Sequence, residues 1–360
     1  TVGNDSSPRP CWPGSYQMQI GQSSCTSCPQ RYYCPGTGNT QITDCPVGNY
    51  CPVNSTVPSR CPAGTYSSAT RLYDVLQCTP CDPGYYCGTT GLSSPTGMCG
   101  AGYYCPALSP LAAQTLTHPT YICQTGRYCP QGSPDQKLCP IGTYAPQQGS
   151  TNITGCLACS PGKYCGSTGL SSPSGNCTQG YYCVSGSVSP TPSDGASGGP
   201  CPTGHYCPTP GVIDPVDCPP GTYSPDPGAT SCLQCPASFY CPRNTTTPVD
   251  CPPGYYCPAG TGMTLPRCPL GTYSSRINLA SSSECSSCTS GTYCGTLGLT
   301  SPSGPCSPGY YCLSGSVVPN PPDGSVAGAS CPTGYFCTGA VGGSFSIGTV
   351  VPDPCPTGTF

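Results

Sequence analysis

No window of this chain carries apolar side chains at the sustained 3.6-residue spacing of an amphipathic helix. Proline recurs too often for any helix longer than a turn. The pattern that does recur is C-x-x-G-x-Y: a cysteine, a glycine three places on, and an aromatic two places after that. Its clearest copy runs from Cys251 through Gly254, Tyr255 and Tyr256 to Cys257. With Arg31 and Ser238 standing in the glycine place, nineteen copies begin at Cys11, Cys28, Cys45, Cys61, Cys81, Cys99, Cys123, Cys139, Cys159, Cys177, Cys201, Cys218, Cys235, Cys251, Cys268, Cys288, Cys306, Cys331 and Cys355. Intervals of 16 to 25 residues separate them. The glycine suits a turn that needs positive φ, and proline after the cysteine presets an extended or turn conformation. The aromatic leads out of that turn, free to cover a disulfide. This predicts a small disulfide-rich repeat array, mostly irregular with short β-hairpins and little or no helix. The expected object is an elongated rod or solenoid in which each repeat touches only its neighbours.

Two variants of the repeat alternate. The closed variant has a second cysteine six residues after the first and occurs thirteen times, with Tyr before that cysteine in twelve copies and Phe336 in the last. The open variant, as in Cys61-Pro-Ala-Gly-Thr-Tyr66, places its second cysteine later, three residues before the next repeat. Open repeats head larger blocks, which gives the following organisation: a lead over 1–10, a six-cysteine block over 11–60, and eight-cysteine blocks over 61–138 and 139–217. A six-cysteine block over 218–267 and an eight-cysteine block over 268–354 follow, and residues 355–360 start a further block. Cys11 and Cys218 are 207 residues apart, as are Cys61 and Cys268, so repeats are nested in a longer repeat. The thirty-seventh cysteine, Cys355, opens a repeat that stops with the chain, which reads as a segment of a longer polypeptide.

Composition changes the picture from a globule to a stapled array. Of 360 residues, 49 are Gly, 50 Pro and 37 Cys, while charged residues make up only 6%. That cysteine level signals a disulfide scaffold, with covalent staples in place of an apolar core. So many cysteines also point to an oxidising, extracellular compartment. No run of eighteen apolar residues is present, so no membrane insertion is expected in this segment. The start lacks a basic stretch followed by an apolar one, as in a mature secreted chain whose signal has been removed. A net charge of −3, with ten scattered Lys and Arg, leaves no footprint for nucleic acid or anionic lipid.

The simplest connectivity pairs cysteines within repeats. In the first block it joins Cys11 to Cys25, Cys28 to Cys34 and Cys45 to Cys51. In the second it joins Cys61 to Cys78, Cys81 to Cys87, Cys99 to Cys105 and Cys123 to Cys129. The third block has Cys139 with Cys156, Cys159 with Cys165, Cys177 with Cys183 and Cys201 with Cys207. The fourth has Cys218 with Cys232, Cys235 with Cys241 and Cys251 with Cys257. The fifth has Cys268 with Cys285, Cys288 with Cys294, Cys306 with Cys312 and Cys331 with Cys337. A rival scheme joins the second cysteine of one closed repeat to the first of the next, such as Cys34 to Cys45, and spacing alone leaves both open. Either way, a bridge closing a loop of ~15 residues contributes about 3 kcal/mol in the chain-entropy model.

The cysteines could instead carry chemistry. C-x-x-C occurs at Cys25/Cys28, Cys78/Cys81, Cys156/Cys159, Cys232/Cys235 and Cys285/Cys288, a spacing shared with zinc knuckles and redox pairs. Only two histidines, His118 and His205, stand by to complete a zinc site, and no βαβ context supports redox work. Adjacent cysteines bridging in opposite directions fit better. One glutamate, Glu284, and twelve aspartates set in loops give no catalytic grouping, so no enzyme, metal or cofactor is expected. The 26 tyrosines sit in a fixed place beside cysteine, as a structural spine rather than a sugar-binding surface.

Covalent sugar is the more informative signal. N-x-S/T sequons occur at Asn4, Asn54, Asn152, Asn176 and Asn244. Ser/Thr/Pro/Gly-rich loops over Pro106 to Ile122, Val184 to Pro200, Leu313 to Ser330 and Thr338 to Pro354 read as O-glycosylated. N-linked and O-linked glycans would supply the solubility that a nearly chargeless chain lacks.

The open C-P-x-G-T-Y repeat followed by C-x-x-C and a second C-x-x-G-x-Y resembles the ephrin-receptor-like cysteine-rich repeats of extracellular proteins, over essentially Cys11 to Phe360. More loosely it is similar to tumour-necrosis-factor-receptor modules and to cysteine-rich surface proteins of protists. The resemblance implies an extracellular disulfide repeat and carries over no catalytic residue. Together these readings lead to an expected function as a structural extracellular glycoprotein that self-associates into a stiff filament, surface hair or matrix fibre. The alternative is the stalk or ectodomain of a cell-surface receptor or adhesin that binds protein or glycan partners.

Overall fold

The computed structural model describes residues 7–108, 121–338 and 349–357. It divides into two compact bodies, Thr1–Gly175 with Ser185–Ser189 and Asn176–Val184 with Pro190–Phe360. Regular structure among the described residues consists of strands of two or three residues, paired antiparallel into two-stranded sheets. No α-helix occurs there.

Each hairpin is the repeat motif made physical. In the first body, Thr65–Tyr66 pairs with Thr79–Pro80; in the second, Thr222–Tyr223 pairs with Leu233–Gln234. The first strand leaves the glycine turn with its aromatic, and the second ends just before the next cysteine. Gly64 holds φ +89, in the third place of a turn closed by Thr65 N–H on the Pro62 carbonyl at 3.1 Å. The Thr65 hydroxyl donates to the same carbonyl at 2.7 Å. That second bond recurs at Thr143, Thr222 and Thr272, which accounts for threonine in the open C-P-x-G-T-Y repeat.

Three 3-10 turns, Val75–Gln77, Ile153–Gly155 and Ser282–Glu284, lead into the late cysteines of open repeats. Asp74 caps the first by accepting from Leu76 N–H at 2.9 Å, while Gln77 Oε1 accepts from the Asp74 N–H. Such single turns cost little order and supply the length that a two-residue hairpin cannot span.

Sulfur replaces hydrocarbon inside. Nearly all the buried apolar residues are cysteines, most of them fully enclosed. The exceptions are instructive: Leu72 packs on Cys61 and Cys78 with Tyr50 against it, and Leu279 packs on Cys268 and Cys285 with Tyr256 against it.

Backbone hydrogen bonds join each repeat to its successor within a body. Gly64 N–H donates to the Cys87 carbonyl at 3.0 Å, and Cys81 N–H donates back to the Gly64 carbonyl at 2.9 Å. The Cys61 carbonyl accepts from Gly91 N–H at 2.9 Å, and Cys51 N–H donates to the Leu72 carbonyl at 2.8 Å. The second body repeats this set: Gly204 to Ser224, Cys218 to Gly204, Asn244 to Cys218, and Cys257 to Leu279. These bonds satisfy backbone groups that short strands leave unpaired.

Contact also reaches the repeat after next. A Cβ on Gly48 would lie 2.3 Å from the Gly91 carbonyl oxygen, and one on Gly254 would lie 2.3 Å from that of Gly298. Glycine is needed there for its absent side chain as well as for its φ. Open repeats lack a cysteine at the sixth place; four of them seat a small buried residue there, Ser67, Ala145, Ser224 and Ser274, and the first seats half-exposed Gln17. Their N–H or carbonyl groups make the bonds that the second cysteine makes elsewhere, as in Ser67 N–H to Leu92 and Gly48 N–H to Ser67. The backbone course is thus independent of which variant occupies it.

Candidate functional site

The feature that places side chains most repeatably is a left-handed corner three or four residues after the sixth place of a repeat. Its N–H donates to the carbonyl of the preceding repeat's first cysteine. Glycine usually fills it, but Asn54, Arg71, Leu108, Asn244 and Asn278 adopt φ between +59 and +68 at the same place. The corner sits over the residue that precedes the earlier cysteine, so a charge at one meets a charge at the other.

Three aspartates that precede a first cysteine are engaged here, two by the corner residue itself and one by the residue beside its corner. Arg71 forms a two-toothed pair with Asp44, Nε to Oδ1 at 3.0 Å and Nη2 to Oδ2 at 2.9 Å, and its guanidinium lies 5.5 Å from the Tyr32 ring. The hydrogen bond and then the charge of Asp44 raise the Arg71 pKa above its ordinary value. Asp217 is held from two sides, by Arg243 at 2.7 Å and by His205 Nε2 at 3.0 Å. The other ring nitrogen of His205 lies 3.0 Å from the Thr203 carbonyl oxygen. Asp250 accepts from Asn278 Nδ2 at 3.0 Å. Each is an exposed or half-exposed strut, of a kind that contributes about 0–1 kcal/mol.

Two longer loops are pinned by single carboxylates. Asp194 accepts from the N–H groups of Ala196 and Ser197 and from the Ser197 hydroxyl, and Asp323 accepts from the hydroxyl and N–H of Ser330. The Ser197 backbone bond first, and the Ser197 hydroxyl next, lower the Asp194 pKa; the Ser330 hydroxyl and then its N–H do so for Asp323. Both loops close three-residue hairpins, Tyr181–Cys183 with Gly198–Pro200 and Tyr310–Cys312 with Gly328–Ser330.

The cysteines sit in eighteen intrachain bridges, with Cα–Cα distances of 5.6 to 6.2 Å. Bridges of open repeats span 14 or 17 residues, as in Cys11–Cys25 and Cys61–Cys78. Those of closed repeats span 6, as in Cys28–Cys34. The two members of each C-x-x-C pair therefore belong to different bridges, and Cys355 is the one free thiol among the described residues. No group of three or more metal-ligating side chains occurs among the described residues. No helix among them is long and apolar enough to cross a membrane. An open recess of about 410 Å³ is lined by Tyr311, Leu313, Pro332, Tyr335, Val350, Val351 and Pro352, with no acid, base or nucleophile beyond the two phenols.

Residues 11–45 comprise an open repeat bridged Cys11–Cys25, then a closed repeat bridged Cys28–Cys34, then the start of a third at Cys45. Residues 5–45 match the family model described as tyrosine-protein kinase ephrin type A/B receptor-like. This segment is an ephrin-receptor-like cysteine-rich repeat. No curated protein matches the chain. The ephrin-receptor-like segment contains the turn, hairpin and corner that recur through both bodies, with Gly14 at φ +80 and Gly38 N–H on the Cys11 carbonyl at 2.8 Å.

The sequon asparagines fall in different settings. Asn54 and Asn244 are exposed corners; Asn152 caps the 3-10 turn at Ile153–Gly155, accepting from Thr154 N–H at 3.0 Å; Asn176 is exposed beside buried Cys177. Asn4 lies outside the described residues, as do His118 and most of the loops over Pro106 to Ile122 and Thr338 to Pro354. The corners themselves escaped sequence reasoning. Their signal is a Gly or Asn three or four residues past the sixth place, hidden among the other glycines.

Proposed function

We propose that the chain is a structural segment of an extracellular glycoprotein, whose work is the length and stiffness of its stapled repeats and whose partner is further copies of itself in a filament, surface hair or matrix fibre. The carrying observation is that repeats within each body are hydrogen-bonded to their successors and, as at Gly14, Gly48, Gly204 and Gly254, packed on the next but one, while reactive side chains are dispersed singly. Catalysis needs unlike groups converging once. Here the thiols are spent in bridges and the carboxylates hold loops or corners. Negative-stain microscopy of the native source material tests the reading. Filaments decorated by an antibody to this chain support it; dispersed globular particles free of sugar sink it.

A second reading, the stalk or ectodomain of a cell-surface receptor or adhesin, is favoured by the ephrin-receptor-like match over residues 5–45. Saturable binding of the purified chain to intact cells or to a glycan array, abolished by reduction, would favour this reading over self-assembly.

A further inference from the structure

Three asparagines occupy left-handed corners, and their side chains are used differently. Asn278 is half-buried and donates its amide to Asp250, and Asn278-Leu279-Ala280 is not a sequon. Asn54 and Asn244 are exposed, each stands three residues past the second cysteine of its repeat, and each begins N-x-T, ending at Thr56 and Thr246. Neither amide is tied down. The acid near Asn244, Asp217, is already engaged by Arg243 and His205, and the residue under the Asn54 corner is Ser27.

Corner asparagines otherwise have a purely conformational explanation, since Asn tolerates positive φ better than other side chains. That explanation covers the backbone of all three, and packing accounts for a threonine two residues on, since Thr230 after the Gly228 corner turns Cγ2 toward Gly180 in the same way. Neither requires an exposed, untied amide at the head of an N-x-T, as at Asn54 and Asn244. Both threonines turn a methyl toward the glycine two repeats back: a Cβ on Gly14 would meet Thr56 Cγ2 at 3.3 Å, and one on Gly204 would meet Thr246 Cγ2 at 3.4 Å. The threonine packs on that glycine while the asparagine two residues before it is exposed.

We propose that Asn54 and Asn244 each carry an N-linked oligosaccharide and that the left-handed corner is the element that presents it. The transfer is an exchange at the anomeric carbon of a lipid-pyrophosphate-linked oligosaccharide donor. Nδ2 of the asparagine forms the new C–N bond, the C–O bond to the lipid pyrophosphate breaks, and one amide proton is lost. The inference rests on the extracellular reading, because that donor chemistry belongs to the secretory route.

The test expresses the full chain through the secretory pathway of a eukaryotic cell line and recovers it from the medium. It is then treated with a peptide-N-glycosidase in heavy-oxygen water, and its peptides are mapped by mass spectrometry. Labelled Asp in place of Asn54 and Asn244 in most copies is expected. Substitution N54G/N244G should lower the mass by two glycans and leave protease resistance intact, because glycine is the usual corner residue. Substitution T56A/T246A, which keeps the corner asparagines, should give the same loss of mass. A secreted, fully bridged chain with both asparagines unlabelled would overturn the proposal. A chain retained in the cell without bridges would overturn the extracellular reading instead.

Discussion

Residues 28–73 and residues 235–280 trace the same backbone with different outer side chains. In the earlier copy Arg31 fills the glycine place at φ +81 and lies 5.2 Å from the Tyr73 ring, while Arg71 crosses back to Tyr32 and Asp44. In the later copy the corresponding places hold Ser238, Ala280, Asn278, Phe239 and Asp250, and a single amide–carboxylate bond stands where the Arg/Tyr clasp was. The inner bonds do not change: Arg31 N–H to Cys51 and Ser238 N–H to Cys257 measure 2.9 and 2.8 Å. Leu72 and Leu279 are buried alike on their bridges. The difference teaches that bridge, corner and buried leucine define the course of the chain, and that the surface clasp is replaceable.

The strongest way to break this equivalence is to remove a long bridge from each copy. Substituting both cysteines of Cys61–Cys78, or of Cys268–Cys285, by Ser should cost about 3 kcal/mol locally in either copy. Hydrogen exchange at the amides of Ser67 or Ser274, which donate to the Leu92 and Leu299 carbonyls, would read it, and a cost confined to one copy would refute equivalence. Next comes the leucine: Leu279→Ala and Leu72→Ala should each cost about 2 kcal/mol, near the low end for a buried leucine because few carbons surround it. Limited proteolysis at the adjacent loops would report the loss.

A comparable effect separates glycine places that look alike in sequence. Gly254→Ala should cost about 2 kcal/mol, from positive φ together with contact on the Gly298 carbonyl. By contrast Ser238→Gly should be neutral within about 0.5 kcal/mol, since that corner already accommodates a Cβ. Smaller again, Arg71→Ala should lower stability only slightly and lose even that effect in high salt, as an exposed pair does. Urea denaturation at two salt concentrations distinguishes that outcome from a packing loss.

The gentlest prediction concerns acid. The folded pKa values of Asp194 and Asp323 are depressed below the ordinary 3.8, so their loop-pinning is present at neutral pH and above that ordinary value. It is lost as pH falls through the lowered values, once the carboxylates gain protons. Amide resonances of Ser197 and Ser330 should stay fixed down to about pH 4 and move only below it. Movement near neutrality would show that the carboxylates are not the pins.

The repeat and its short hairpins were legible because cysteine, glycine and aromatic keep fixed spacing from Cys11 onward, and the ephrin-receptor-like resemblance rests on the same residues. The contact between a glycine and the repeat after next was not legible. It depends on a corner whose identity drifts among Gly, Asn, Arg and Leu, since only its φ and its N–H matter. The replacement of a sixth-place cysteine by Ser67, Ala145, Ser224 or Ser274 was equally hidden: a small residue announces nothing until its burial is known. Of the candidate chemistry, C-x-x-C pairs could be read as staples because their neighbours offered no ligands. The Asp217–His205–Arg243 strut could not: His205 and Asp217 face each other across one hairpin, while Arg243 comes from two repeats on, with no shared motif.

The corner also divides each repeat into two stretches with different tolerances for length. From the first cysteine to the corner the count is held within one residue, because backbone bonds to two neighbours are made along the way. From the corner to the next cysteine only the end is fixed, by the returning strand and, in open repeats, the late cysteine, as Thr79–Pro80 and Cys78 show, and the variation in interval accumulates before it. Ser133 and Thr261, directly after the Gly132 and Gly260 corners, are buried and accept from Cys105 N–H and Cys241 N–H at 2.9 Å, so insertions such as an epitope, a protease site or a ligand peptide belong later in that stretch, short of the returning strand. The array is in that sense a rack whose pegs are spaced by the first stretch and whose hooks can be any length.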